Sequence, residues 1–134
     1  MKQITVAAAV ILNRQHQLLL VRKRGTRYFM QVGGKLEPHE APEQAMVREI
    51  QEEIGCSARV EQFIGRFETP AANEPDHRLI SYVYQMSLEQ EPSIAAEIAE
   101  MKWIDLADET TLLAPLTRQV VLPWCRQFLS SKTL

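Results

Sequence analysis

The most constraining feature of this chain is the segment from Gly34 to Cys56, which reads GKLEPHEAPEQAMVREIQEEIGC. Apolar residues recur in it at the three- and four-residue intervals of an amphipathic helix. Pro42 suits a first helical turn, where its missing N–H is not needed, and Gly55 suits the position just after a last turn. The segment therefore predicts a helix over residues 42–54 that packs one side against a core.

Three glutamates share another side of this predicted helix. Glu49, Glu52 and Glu53 stand at i, i+3 and i+4, so their carboxylates are neighbours. At about 100° per residue, they point roughly 120° away from the apolar stripe, and we expect the acidic face to lie outside the core. The pattern is compatible with a solvated face that pairs with Arg48, and also with a metal site, since carboxylates this close repel one another.

The spacing of these residues resembles the signature of the Nudix hydrolases, G-x5-E-x7-R-E-U-x-E-E-x-G-U, in which U is a bulky aliphatic residue. The fixed positions are occupied by Gly34, Glu40, Arg48, Glu49, Ile50, Glu52, Glu53 and Gly55. Two positions depart from the family pattern. Cys56 stands at the final aliphatic position, where it still acts as a small hydrophobe, and Val32 replaces a proline that many members carry before the paired glycines.

The rest of the chain carries mainly strand signals, followed by one further helix signal. Runs rich in β-forming residues predict strands at residues 4–12, 17–24, 28–32, 57–68, 79–88 and 101–104. Turn formers at 13–16 predict a hairpin between the first two strands. Residues 116–129 predict a last helix, with Thr117 as N-cap and a kink or early break at Pro123.

This order indicates an α/β fold, and the length of 134 residues predicts one domain over residues 1–134. The Nudix resemblance implies, more specifically, a mixed β-sheet sandwiched between α-helices.

Composition narrows the class of partner. The net charge of −2 provides no basic field for long nucleic acids, and no apolar run approaches the 18 or so residues of a membrane span. Two cysteines, Cys56 and Cys125, are too few for a disulfide framework, so we expect a reduced, cytoplasmic protein. The expected partner is a small-molecule nucleotide, and the chain is a monomer or a homodimer.

The resemblance implies a hydrolase that cuts the pyrophosphate of a nucleoside diphosphate linked to another group, with water and Mg²⁺, or Mn²⁺, as cofactor. Glu52 and Glu53 are the expected primary metal ligands, and Glu49 is a shared ligand or the general base. The Gly34 carbonyl is a further candidate ligand. The alternative interpretation is a non-catalytic Nudix-like module that senses a nucleotide; such modules commonly lose a box glutamate, and this chain retains them all.

Several other residues are candidates for the site. Glu97 is the first choice, and Glu100 the second, for the additional glutamate that many members place before a late strand, so Glu97 competes with Glu49 as general base. Arg48 is expected to orient Glu49 or to pair with Glu52 or Glu40, and Glu40 and Gly33 are expected to support the loop before the helix. Candidate substrate contacts are Lys23 and Arg24 for phosphates and Phe29 and Phe67 for a base.

Overall fold

Three strands, a helix, three more strands and a C-terminal helical segment follow one another along residues 2–132, the part of the chain that this computed structural model describes. The strands are β1 Lys2–Val10, β2 Leu18–Lys23, β3 Gly33–Lys35, β4 Ala58–Pro70, β5 His77–Leu88 and β6 Ile98–Ile104. The helices are α1 Pro42–Ile54 and α2 Leu122–Lys132, and a π-helical turn at Thr117–Val121 leads directly into α2.

Four strands form a mixed sheet in the order β3-β1-β5-β4. β1 and β5 run parallel, whereas β3 and β4 each pair antiparallel with their neighbour. β2 and β6 form a separate antiparallel pair. The mixed sheet and its two helices confirm the predicted α/β fold class.

The residues of β1 divide between two cores, because alternate side chains of a strand point to opposite faces. Ala7 and Ala9 belong to a buried cluster that includes Met46, Ile50 and Ile54 of α1. Ala8 and Val10 belong to a second cluster that includes Leu122 and Cys125 of α2. The sheet therefore lies between the two helices.

The helix α1 begins and ends where the sequence predicts. Gln44 Oε1 accepts a hydrogen bond from the Ala41 N–H at 3.0 Å, so one free donor at the N-terminus has a partner. Gly55 takes a left-handed conformation with φ of 67° and donates its N–H to the Gln51 carbonyl at 3.1 Å. A glycine has no Cβ penalty there, which accounts for the clean end of the helix.

The predicted strands at residues 57–68 and 79–88 are confirmed as β4 and β5, but three other predictions need correction. The turn at residues 13–16 forms, with Asn13 bonded to Gln17 and Leu19 to Ile11, but beyond it the first two strands pair in different sheets, so the predicted hairpin is confined to the residues beside its turn. Residues 28–32 contribute only isolated bridges, and the strand lies instead at Gly33–Lys35. β6 begins at Ile98, three residues before the predicted start of 101.

The C-terminal helix also differs from the prediction. Thr117 does not cap it, because its hydroxyl donates to the side chain of Gln31 at 2.8 Å. Pro123 does not break it either, since the π-helical turn places Pro123 in the first turn of α2, where no helical N–H is needed. Within residues 2–132, no helix is both long enough and apolar enough to span a membrane.

Candidate active site

The three glutamates of α1 differ in how far they are exposed to solvent. Glu52 is exposed and Glu49 is partly buried, but Glu53 is only 6% exposed. The expectation that the whole acidic face lies outside the core is therefore wrong for Glu53. The reason is tertiary: β3 and the end of β2 pack over this end of the helix, and helical periodicity does not describe those neighbours.

Glu53 has two close polar neighbours. Its Oε1 accepts a hydrogen bond from the Gly33 N–H at 3.1 Å, and its Oε2 lies 3.6 Å from Lys23 Nζ. Burial raises the pKa of Glu53 to about 7, and the favourable charge of Lys23 and the Gly33 hydrogen bond only partly oppose that rise. A carboxylate in this position is ionised at some cost, which an additional cation would offset.

Arg48 joins the remaining carboxylates. Its guanidinium contacts Glu40 at 2.7 Å, Glu49 at 3.0 Å and Glu52 at 3.2 Å, and it also donates to the Lys35 carbonyl at 3.1 Å. The hydrogen bond from Arg48, helped by one from the Glu37 N–H, lowers the pKa of Glu40 to about 2. Arg48 thus contacts Glu40, Glu49 and Glu52, the three carboxylates that the sequence offers as its partners.

The paired glycines let β3 approach these carboxylates closely. A Cβ at Gly34 would lie 2.6 Å from the carboxylate of Glu49, and a Cβ at Gly33 would overlap the backbone carbonyl of Ala7. Both glycines belong to β3. Glu49 is held between this strand and Arg48, and burial raises its pKa although Arg48 opposes the rise.

A single cavity of about 650 Å³ brings most of the candidate residues together. The charged residues of its lining, here called its charged part, are Lys23, Lys35, Glu37, Arg48, Glu49, Glu52, Glu53, Glu74 and Glu97. The apolar residues Ile4, Val6, Ala8, Leu79, Pro115 and Leu116 are here called its apolar part. Gly33 and Gly34 also line the cavity and add no side chain to it. The cavity therefore presents both charged and apolar groups to a ligand.

The two candidate glutamates beyond α1 occupy different places. Glu97 lines the cavity with an exposed side chain, and its backbone carbonyl accepts a hydrogen bond from the Arg24 N–H at 2.8 Å. Glu100 pairs with Arg22 at 2.8 Å and is not among the lining residues. Of the two basic candidates, Lys23 lines the cavity and Arg24 does not.

The aromatic candidates lie away from the cavity lining. Phe29 is 8% exposed and belongs to the core beside α2, and Phe67 packs against the same cluster. Neither ring is among the residues that line the cavity, so a contact with a base stays a prediction for both. In contrast, Gln31 lines the cavity and was missed, because one glutamine in an otherwise apolar segment gives no sequence signal.

The chain is similar to known proteins in both sequence and fold. The family model described as NUDIX domain matches residues 1–125, which is most of the chain. The protein belongs to the Nudix family.

Two relatives and one solved structure illustrate the likeness of this Nudix protein to others. A putative 8-oxo-dGTP diphosphatase of Bacillus subtilis is 31% identical over 98 residues, which are 73% of this chain and 64% of that protein. The CTP pyrophosphohydrolase of Escherichia coli is 35% identical over 83 residues, 58% of this chain and 59% of that protein. The matches thus span less than two thirds of these relatives.

A MutT Nudix hydrolase from Burkholderia pseudomallei has a TM-score of 0.79 at 22% identity, covering 92% of this chain and 98% of that one. This likeness shows a shared fold.

Nudix hydrolases generally use a divalent metal ion, and this Nudix protein carries candidate ligands for one. Carboxylate oxygens are the ligands that hard divalent cations prefer, and Glu49, Glu52 and Glu53 supply them along one cavity wall. Over residues 2–132, no three acidic, histidine or cysteine side chains are arranged as a ready ligand group, since these carboxylates point to Arg48 and Lys23. The donor types nevertheless fit, and burial of Glu53 beside a single lysine favours added positive charge.

Proposed function

We propose that this Nudix protein is a divalent-cation-dependent pyrophosphohydrolase that cleaves a nucleoside diphosphate linked to another group. The observation that supports the proposal is the cavity itself, whose lining combines clustered carboxylates and three cationic side chains with apolar residues. A pyrophosphate linked to a nucleoside has the same combination, with charge at one end and a flat, largely apolar base at the other.

The cofactor that best fits the carboxylates is Mg²⁺, with Mn²⁺ as a substitute, because both prefer oxygen ligands. Glu52 and Glu53 would be its primary ligands, together with the backbone carbonyl of Gly34, and Glu49 would be either a shared ligand or the general base. When bound, the cation neutralises charge on the phosphates and lowers the pKa of a coordinated water.

The residues of this chain then have separable roles. A water oxygen attacks one phosphorus of the pyrophosphate, the bridging P–O bond breaks, and a carboxylate accepts the proton that the water loses. Glu49 is one candidate for that base, because Arg48 fixes its orientation and burial raises its pKa toward the working range. Glu97 is the other, because its exposed side chain lies on the cavity wall and has no side-chain partner among residues 2–132.

Lys23 and Arg48 contribute in different ways. Lys23 Nζ lies 3.6 Å from Glu53 and lines the cavity, so it is placed to contact a phosphate oxygen as well. Arg48 already has five acidic or carbonyl partners, which makes it a positioning residue for Glu49 and Glu52. Substrate phosphates therefore meet Lys23 more readily than Arg48.

The substrate class is a nucleotide, and the two relatives described above bear names that refer to 8-oxo-dGTP and CTP. Nucleoside triphosphates, an oxidised nucleotide among them, are therefore the first compounds to assay, followed by ADP-ribose and nucleotide sugars. The experiment is a hydrolysis screen of the purified protein over these compounds with Mg²⁺ or Mn²⁺, with products resolved by chromatography and phosphorus NMR.

The proposal predicts that at least one compound is cut at its pyrophosphate, and that a chelator abolishes the cleavage. Nucleotide binding without turnover of any compound would reject the proposal in favour of a non-catalytic sensor. The matched control is Glu68→Gln, which removes an exposed glutamate that pairs with Arg66 on β4 and should leave the rate unchanged.

A further inference from the structure

A buried amide at the cavity wall lacks a hydrogen-bond partner. Gln31 is 5% exposed and lines the cavity, and its Nε2 has no partner among residues 2–132. Buried side-chain amides in native proteins are nearly always hydrogen-bonded, because an unpaired donor has lost its water without replacement. An N–H₂ group left unpaired at a ligand cavity therefore indicates a partner that comes from the ligand.

Thr117 fixes which end of this amide is free. Its hydroxyl donates to Gln31 Oε1 at 2.8 Å, and Thr117 is itself fully buried. Rotating the amide by half a turn would leave the Thr117 proton without an acceptor, since residues 2–132 provide it with no other. The oxygen of Gln31 is thus held by Thr117, and the nitrogen is the end that remains available.

Gln31 lies at the apolar part of the cavity. Thr117 lies in the π-helical turn directly after Pro115 and Leu116, which line that part. Ile4 and Val6 reach the same part from the face of β1 that carries Ala8 and Val10, which pack toward α2. The carboxylates reach the cavity from α1, which packs on the other face of the sheet.

We propose that Gln31, held by Thr117, is a specificity-determining residue that donates an N–H to a carbonyl oxygen of the nucleobase. This inference rests on the proposed function, because it takes the apolar part as the place of the base. A fixed donor accepts a partner such as the O6 of a 6-oxopurine or the O4 of a 4-oxopyrimidine. It opposes the exocyclic amino group of adenine or cytosine, which is itself a donor.

The test uses two pairs of nucleotides that differ chiefly at this oxo or amino position of the base. Inosine 5′-monophosphate is compared with adenosine 5′-monophosphate, and uridine 5′-monophosphate with cytidine 5′-monophosphate. Calorimetric titration in the presence of a chelator measures their dissociation constants without requiring turnover or metal. The expected result is that the oxo member of each pair binds about tenfold more tightly or better, because the amino member would leave a buried donor facing a donor.

Two variants separate recognition from simple packing. Gln31→Leu removes the donor at similar volume, and Thr117→Val removes the anchor, so that the amide is free to turn its oxygen toward the base. Both should bring the affinity ratio within each pair close to one, whereas a purely structural role would weaken both ligands equally. Gln85→Leu is the control, because Gln85 bonds Gln62 on an exposed part of the sheet and should leave the ratio unchanged.

Equal affinity of the wild-type protein for both members of each pair would overturn the inference, and so would an unchanged ratio in a folded Gln31→Leu protein. Absence of binding by all four monophosphates would overturn it too, because no base would then be recognised at the apolar part. If the ratios behave as expected but no nucleotide is hydrolysed, the proposed function fails while the role of Gln31 stands. If a nucleotide is hydrolysed but the affinity ratios are unchanged in the variants, the proposed function stands and the role of Gln31 fails.

Discussion

Replacing Glu53 by glutamine should stabilise the metal-free protein at neutral and alkaline pH. In the native state the Glu53 carboxyl is buried, and its pKa is raised from 4.5 to about 7. In the unfolded chain the same carboxyl is hydrated and titrates near its ordinary value. Between these two pKa values the native state retains a proton that the unfolded state has lost.

The sign of the effect follows from this difference in bound protons. Stability falls as the pH rises from about 4.5 to 7, because the unfolded state has released this proton while the native state still holds it, and it levels off above pH 7. The gap between the two pKa values corresponds to about 3 kcal/mol. Glutamine does not titrate and can still accept the Gly33 hydrogen bond, so Glu53→Gln should be more stable than wild type above pH 7 by up to about 3 kcal/mol.

The assay is urea unfolding followed by circular dichroism at a series of pH values from 4 to 8.5, with a chelator present throughout. Subtracting the wild-type profile from that of Glu53→Gln isolates this one residue from the other titrating groups. Glu52→Gln is the matched control, because Glu52 lies on the same helix but is exposed, so its replacement removes no buried charge. A Glu53→Gln protein that is less stable than wild type at pH 8 would refute the reasoning, since burial of the charge would then carry no cost.

Three further predictions concern the cation, the glycines and the base. Millimolar Mg²⁺ or Mn²⁺ should raise the melting temperature of the wild type, and a chelator should reverse the rise, because a ligand that binds the native state stabilises it. An unchanged melting temperature, together with no detectable cation binding, would favour a solvated acidic face. Gly33→Ala should lower the unfolding free energy by about 1–3 kcal/mol, because the new Cβ overlaps the Ala7 carbonyl. Gly34→Ala should fold but lose roughly 10- to 100-fold in turnover, because its Cβ displaces Glu49. Equal effects of the two variants on stability would contradict this. Whichever of Glu49 and Glu97 is the base, its glutamine variant should lose turnover while Mn²⁺ affinity stays nearly unchanged, and wild-type turnover in Glu97→Gln would exclude Glu97.

Local signals in the sequence predict the helix α1 to the residue. Pro42 and Gly55 act on the backbone of their own segment, and the apolar stripe of the helix repeats at a fixed interval, so no knowledge of the rest of the fold is needed. Strand pairing is different. The same apolar run that forms β1 could pair with β2 or with β5, and the choice depends on contacts between residues far apart in sequence.

The same distinction explains the errors within the site. The spacing of Glu49, Glu52 and Glu53 places them on one side of a helix, but only the packing of β3 makes Glu53 a buried carboxylate. Thr117 has the residue type of an N-cap, yet a distant amide takes its hydroxyl. A role for Gln31 depends wholly on that contact, so no motif could indicate it.

The most direct test of the central claim is the rate at which Glu53→Gln hydrolyses the preferred substrate in the presence of Mg²⁺, measured beside the wild type at pH 8. The account predicts a loss of at least about a hundredfold, because a neutral amide holds a cation poorly, in a protein that is at least as stable as wild type without metal. Loss of activity together with gain of stability separates a functional carboxylate from a structural one. A Glu53→Gln enzyme with near-normal turnover would contradict the claim and remove Glu53 from the proposed metal site.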